Sequence, residues 1–183
     1  IYIRTGKYNA AVEHNQRAIA ADEAYFAVAP QPEFYNIYFL HNIHFLAYAA
    51  MMEGRYQTAI DAARKIQTTI PPEFLKNFVT VADGFTPTTL HVLIRFGKWD
   101  EILAEPAPED WRLLSMAEWH FARSVAYSAL GKTDEAQREI ELVEGGVQAV
   151  LREREVEGFG HLRFCCATGA SIGHGQRNGD AVR

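Results

Sequence analysis

Histidine is the residue type in this sequence whose spacing points to chemistry. His41, His44 and Tyr48 stand at i, i+3 and i+7, which puts all three on one face of a helix. Ile43, Leu46, Ala47 and Ala50 recur at helical spacing on a different face, the one that must be buried. Tyr48 lies six residues before Gly54, and His91 lies six before Gly97. If those two segments are equivalent, His91 joins the same surface on the next pair of helices. Asn42, beside His41, then reaches the edge of that surface, and Met51 and Met52 supply adaptable apolar contacts near it. Three uses of such residues compete. The imidazoles of His41, His44 and His91 make a metal site if three ligand atoms come within reach of one point. The same groups serve equally as hydrogen-bonding positions in an open groove, or as hydrogen-bonded packing residues. His120 follows Trp119 in a core-facing stretch and reads as structural, whereas His14 falls on a polar helix side and reads as solvated.

Other chemistry finds little support. There is no Gly-x-Ser-x-Gly nucleophile turn and no Gly-rich phosphate loop after a strand, so no nucleotide or other cofactor is expected. Gly145-Gly146 reads as a helix break. The acidic pairs Asp22-Glu23 and Glu109-Asp110 sit at helix ends or in loops, where solvation accounts for them. Cys165 and Cys166 are adjacent, which gives neither a disulfide framework nor zinc spacing, and the tract from Cys165 to His174 lacks a ligand pattern. Two cysteines fit a reducing, cytoplasmic setting. The net charge of −5, with Lys and Arg scattered singly, excludes a general nucleic-acid binder, and no run of eighteen apolar residues exists to span a membrane.

The elements that must position the histidines announce themselves by repetition. Four segments share one pattern: helix, Gly, basic residue, helix. They read Gly6-Lys7-Tyr8-Asn9-Ala10-Ala11, Gly54-Arg55-Tyr56-Gln57-Thr58-Ala59, Gly97-Lys98-Trp99-Asp100-Glu101-Ile102 and Gly131-Lys132-Thr133-Asp134-Glu135-Ala136. Glycine ends the first helix by entering the left-handed conformation. Tyr8, Tyr56 and Trp99, two residues on, are expected to fill the corner between helices. A small residue three further on lets the helices approach. Thr133 and Ile102 depart from this rule. The glycines are 48, 43 and 34 residues apart. The longer intervals carry insertions, at residues 27–34 and after Ile70-Pro71-Pro72, where 74–81 reads as a short extra helix. Ser115 with Glu118 has capping-box spacing for the helix of the last pair, as an alternative to Asp110. Only Ile1 to Thr5 precede Gly6, so the first hairpin reads as incomplete, with Ala11, Val12 and Ala18 left for an upstream segment to cover.

With those turns in hand, the chain resembles tetratricopeptide repeat proteins. More narrowly it is similar to a group of large bacterial proteins of that class, through His41-Asn42-Ile43-His44-Phe45-Leu46, Val92-Leu93-Ile94-Arg95-Phe96-Gly97-Lys98-Trp99 and Trp119-His120-Phe121-Ala122-Arg123. The resemblance runs from residue 1 to about Val147. It implies an all-α fold of antiparallel helical hairpins stacked as an α-solenoid, and a protein or peptide partner held in a concave groove. It implies no catalysis. Two regions are expected: a repeat domain over residues 1–151, and a flexible or disordered tail over 152–183, where glycines replace periodicity.

Overall fold

The computed structural model describes residues 1–29 and 35–156, with side chains through residue 148. A 3-10 turn (Ile3–Thr5) leads into nine α-helices among those residues, and no strand occurs among them. They are α1 (Tyr8–Phe26), α2 (Tyr35–Met52), α3 (Tyr56–Thr69), α4 (Pro72–Asn77), α5 (Val79–Ala82), α6 (Thr88–Arg95), α7 (Trp99–Ala104), α8 (Leu113–Ala129) and α9 (Thr133–Val156).

Glycine sets the hairpin turns. Gly6, Gly54, Gly97 and Gly131 have φ of 72°, 73°, 65° and 73°, the left-handed region. In each turn the residue after the glycine donates its N–H five residues back, as in Arg55 to the Ala50 carbonyl at 2.9 Å. The glycine N–H reaches three back, as in Gly54 to Met51 at 3.2 Å. This pair of bonds closes the last helical turn and satisfies carbonyls that would otherwise be orphaned. A Cβ built on Gly54 meets nothing within 4 Å, so only the backbone angle demands glycine there. Gly54→Val is therefore expected to cost about 1–2 kcal/mol, because a β-branched residue resists positive φ. Gly54→Asn should cost less, since asparagine tolerates that region. Equal melting temperatures for all three proteins would show that the turn does not hold Gly54 in this conformation.

The packing follows from side-chain size. Ala47, Ala49 and Ala50 of α2 and Ala59, Ala62 and Ala63 of α3 are all buried, a seam of methyl groups that lets two helix backbones come close. The position three after each corner residue is buried in all four turns, at Ala11, Ala59, Ile102 and Ala136. α2 buries its apolar residues among α1, α3 and α6 and leaves Tyr35, Tyr38, His41 and Tyr48 exposed on its remaining side. Consecutive helices pack in series: α1 on α2, α2 on α3, α3 on α6, α6 on α7, α7 on α8 and α8 on α9. α2 also touches α6, and α6 touches α8.

Several expectations need correction. Ala11 and Val12 are buried, because α1 packs on the helix that follows it, and Ala18 is half-buried by the same contact. The extra segment after Pro72 is two short helices rather than one. α9 runs through Gly145 and Gly146 without a break, to Val156. Glycine costs an exposed helix about 1 kcal/mol, which a helix this long absorbs. The remaining tail, with Cys165, Cys166 and His174, lies outside the described residues, as do residues 30–34 of the first insertion.

The corner aromatics are half-buried, not enclosed. The Trp99 ring lies across Gly97, 3.5 Å from where a Cβ would sit, and packs on the Leu90, Leu93 and Ile102 cluster. Tyr56 reaches forward to the next turn. Its ring meets Phe96 edge-on at 5.1 Å, Lys98 sits 4.7 Å over its face, and its hydroxyl donates to Glu101 at 3.0 Å. That aromatic joins successive hairpins.

Candidate functional site

The predicted histidine face exists on α2, and the structure shows which neighbours complete it. His41 is exposed and its ring lies against Phe45, one turn on, with centroids 4.1 Å apart. His44 is half-buried: Phe85, from the loop before α6, meets its ring edge-on at 5.6 Å. Tyr48 is 38% exposed. Ile3 from the opening turn joins His44, Phe45 and Tyr48 around an open apolar hollow of about 200 Å³. His91 is exposed on α6, and its Nε2 lies 3.1 Å from Glu118 Oε2 on α8, where the imidazole N–H donates to the carboxylate. The hollow thus belongs to the opening turn and α2, and the His91–Glu118 pair joins α6 to α8.

Electrostatics tie the three histidines together. Burial lowers the His44 pKa from its ordinary 6.5, and the nearby His91 and His41 push it the same way. The sign of the consequence follows from linkage. The unfolded chain then binds more protons than the folded one at mildly acid pH, so stability rises with pH there. The stability is intact above the ordinary value and is lost as pH falls through it towards the lowered value. His44→Gln is expected to lose less melting temperature than the parent between about pH 7.5 and about pH 5.5. Identical losses in the two proteins would remove His44 as the cause.

Asn42, half-buried beside His41, turns its amide to α1. Its amide donates to Asp22 Oδ2 on α1 at 3.1 Å, and the Tyr35 hydroxyl donates to Asp22 Oδ1 at 3.0 Å. Asp22 is buried, so both donors satisfy a carboxylate that water cannot reach freely. That hydrogen bond, with the charge behind it, raises the Tyr35 pKa. The metal alternative for His41, His44 and His91 also lacks its ligands. Among the described residues no group of three His, Cys, Asp or Glu side chains is placed to hold an ion. His91 is instead committed to Glu118.

Sequence reasoning missed Ile3, Phe45, Phe85 and Glu118. Phe85 sits in a loop without periodicity, so nothing in its spacing marks it. Glu118 did carry a signal: it lies thirteen residues before Gly131, as His41 does before Gly54. Its capping-box spacing with Ser115 is not used: α8 begins at Leu113 with Arg112 as its unassisted cap residue. Neither Ser115 nor Asp110 caps it locally.

Ser115 takes part instead in a buried polar knot. Its Oγ donates to Asp83 Oδ1, and its backbone N–H donates to Asp83 Oδ2 at 3.0 Å. Arg112 Nε donates to the same carboxylate at 3.0 Å, and its Nη2 bonds Thr86 Oγ1 at 2.5 Å. Asp83 thus caps α8 from a distant loop, doing what an Asp N-cap does from the preceding residue. With Asp83 and Ser115 buried and the Arg112 side chain 16% exposed, the knot holds α8 against the α5–α6 loop. His120 is structural too: its Nδ1 lies 2.7 Å from the buried Glu139 on α9. His14 is exposed and stacks on Tyr2 at 5.1 Å.

Comparison with protein-family models, with curated proteins and with solved structures finds no match.

Proposed function

We propose that this chain is a binding module, not an enzyme: a solenoid-type stack of tetratricopeptide-like hairpins that holds an extended peptide or a partner's surface. The binding face is the one shared by α2, α6 and α8. The observation that carries the reading is the apolar hollow of about 200 Å³ beside exposed His41 and Tyr48. In this reading the exposed His91–Glu118 pair of α6 and α8 supplies the polar groups of the same face. An apolar socket flanked by a few oriented polar groups is how a concave repeat surface recognises side chains. Tyr48 supplies a large contact area with a hydroxyl at its tip, the kind of residue that dominates binding energy at interfaces. Nucleic acid is an unsuitable partner for a chain of net charge −5 with no basic stripe. No helix among the described residues is long and apolar enough to cross a membrane. A cytoplasmic setting is supported by the cysteine content alone.

The test is selection of a random peptide library displayed on phage against the immobilised full chain. Enriched peptides should share an apolar anchor residue, and Tyr48→Ala should weaken them by about ten-fold or more. No enrichment, or enriched peptides that bind the Tyr48→Ala and His91→Ala proteins as tightly as the parent, would sink the groove.

A further inference from the structure

The buried apolar residues fall into two clusters. One gathers α1, α2, α3 and the short helices after them, with Val92 from α6; the other gathers Leu90 and Leu93 of α6 with Ile102, Ala122 and Ala126. Tyr56 and Ile60 of α3 touch both, so the seam of α3 on α6 is the joint between them. Two sets of side chains strap that joint. From α3, Arg64 donates to Glu105 at 2.8 Å and the Tyr56 hydroxyl to Glu101 at 3.0 Å, and neither pair contains a histidine. The other strap does. Phe85, in the loop before α6, packs on the first cluster, and its ring meets His44 of α2 edge-on at 5.6 Å.

The surroundings of His44 offer a charged ring no acceptor. The opening turn brings Ile3, with Arg4 exposed beside it; the loop brings Phe85; α2 itself brings Phe45 and Tyr48. The charges that act on His44 are those of His91 on α6 and His41 on α2, both of its own sign. Asp83, two residues before Phe85, is bonded to Arg112 and Ser115. α1 presents Asp22 to Asn42, about 200° round the helix from His44, and α3 meets α2 through alanines. His44 has no hydrogen-bond partner among the described residues. His91 differs: Glu118 of α8, 3.1 Å from its Nε2, accepts from the charged ring as well as from the neutral one.

We infer that the contact of His44 with Phe85 is an acid-sensitive latch, whose opening frees the loop before α6 from α2 and leaves the α3 seam as a pivot. A charged imidazole against apolar walls forfeits hydration that nothing there replaces, so it turns out to water. The His91–Glu118 pair meanwhile strengthens when His91 is charged, which keeps α6 on α8. Burial, then His91, then His41 lower the His44 pKa, so the closed form holds the ring neutral. The open form takes up the proton as pH falls below the ordinary 6.5 and is favoured there. The latch needs no partner, so it stands or falls separately from the binding face proposed above.

Hydrogen exchange of the full chain, read by mass spectrometry at about pH 7.5 and about pH 5.5 with times scaled for the intrinsic rate, tests the latch. Residues 83–91 and the stretch of α2 around His44 should lose protection in acid, while α7 and α8 keep theirs. The loss should be at most about ten-fold per pH unit, the limit for a single proton. His44→Gln should abolish it. Should that variant fail to fold, His44→Phe, which keeps an aromatic ring against Phe85, replaces it with the same expectation. His91→Gln should move the loss to higher pH, because one positive neighbour is gone. His14→Gln, at an exposed ring stacked on Tyr2, should behave as the parent does. Unchanged protection of residues 83–91 in the parent would overturn the inference, and so would the same loss in the His44 variant. A loss spread evenly over every helix would overturn it too, since acid would then act on the whole fold.

Discussion

Asp83→Ala is expected to cost about 3–5 kcal/mol of folding stability, the range for removing one partner of a buried ion pair. Asp83 is 2% exposed and the Arg112 side chain 16%. The carboxylate accepts from the Arg112 guanidinium at 3.0 Å, from the Ser115 backbone N–H at 3.0 Å and from the Ser115 hydroxyl. Its loss leaves the Arg112 guanidinium with only the exposed Glu109 carboxylate, 3.1 Å from Nη1, as counter-charge, and takes from α8 the carboxylate that caps it. Both penalties fall on the same junction, where the loop before α6 meets the start of α8. For a domain of this size each kcal/mol moves the melting temperature by about 2–4 °C, so the transition should fall by roughly 6–20 °C. Asp83→Asn keeps an acceptor for Ser115 but not the charge, and should lie between. Adding Arg112→Met to Asp83→Ala should recover part of the loss, because the part-buried charge that has lost its buried partner goes with it. A loss below about 1 kcal/mol for Asp83→Ala would show that water reaches Arg112 and that the knot is not closed.

Glu139→Ala should be the next most damaging change, at about 3 kcal/mol, the lower end for a buried pair because its partners keep some exposure. Glu139 accepts from Arg123 Nε at 2.8 Å and holds His120 Nδ1 at 2.7 Å. Arg123 in turn lies 4.5 Å over the Trp119 ring and donates to the Tyr127 hydroxyl at 3.1 Å. One carboxylate on α9 therefore anchors a row of α8 side chains. Because the main packing of α9 among the described residues is on α8, the effect should be local. Hydrogen exchange in α9 should accelerate well before exchange in α2 or α3, since peripheral elements open at lower free energy than the core. Glu139→Gln retains hydrogen bonds and should lose less. Uniform acceleration across all helices would mean that α9 unfolds only with the whole chain, contrary to this expectation.

The sequence by itself determined the turns and the seam. Glycine at 6, 54, 97 and 131 is a local requirement, because positive φ is set by neighbouring backbone atoms and needs no distant partner. The alanine stripe of α2 and α3 was equally legible, since burial repeats at helical spacing. So was the common face of His41, His44 and Tyr48. What their surface is made of was decided by tertiary structure. Ile3, Phe85 and Glu118 reach the histidines from other elements, and the separation in sequence between Glu118 and His91 carries no period. Asn42 shows the same limit from the other side. It neighbours His41 in sequence, but successive helical residues diverge by about 100°, and its amide turns to Asp22 on α1. Ser115 and Glu118 had the spacing of a local cap, yet Asp83 supplied the cap across the fold. Local geometry is written in nearest neighbours; buried charge is satisfied by whichever partner the packing brings, and only the folded chain specifies that partner.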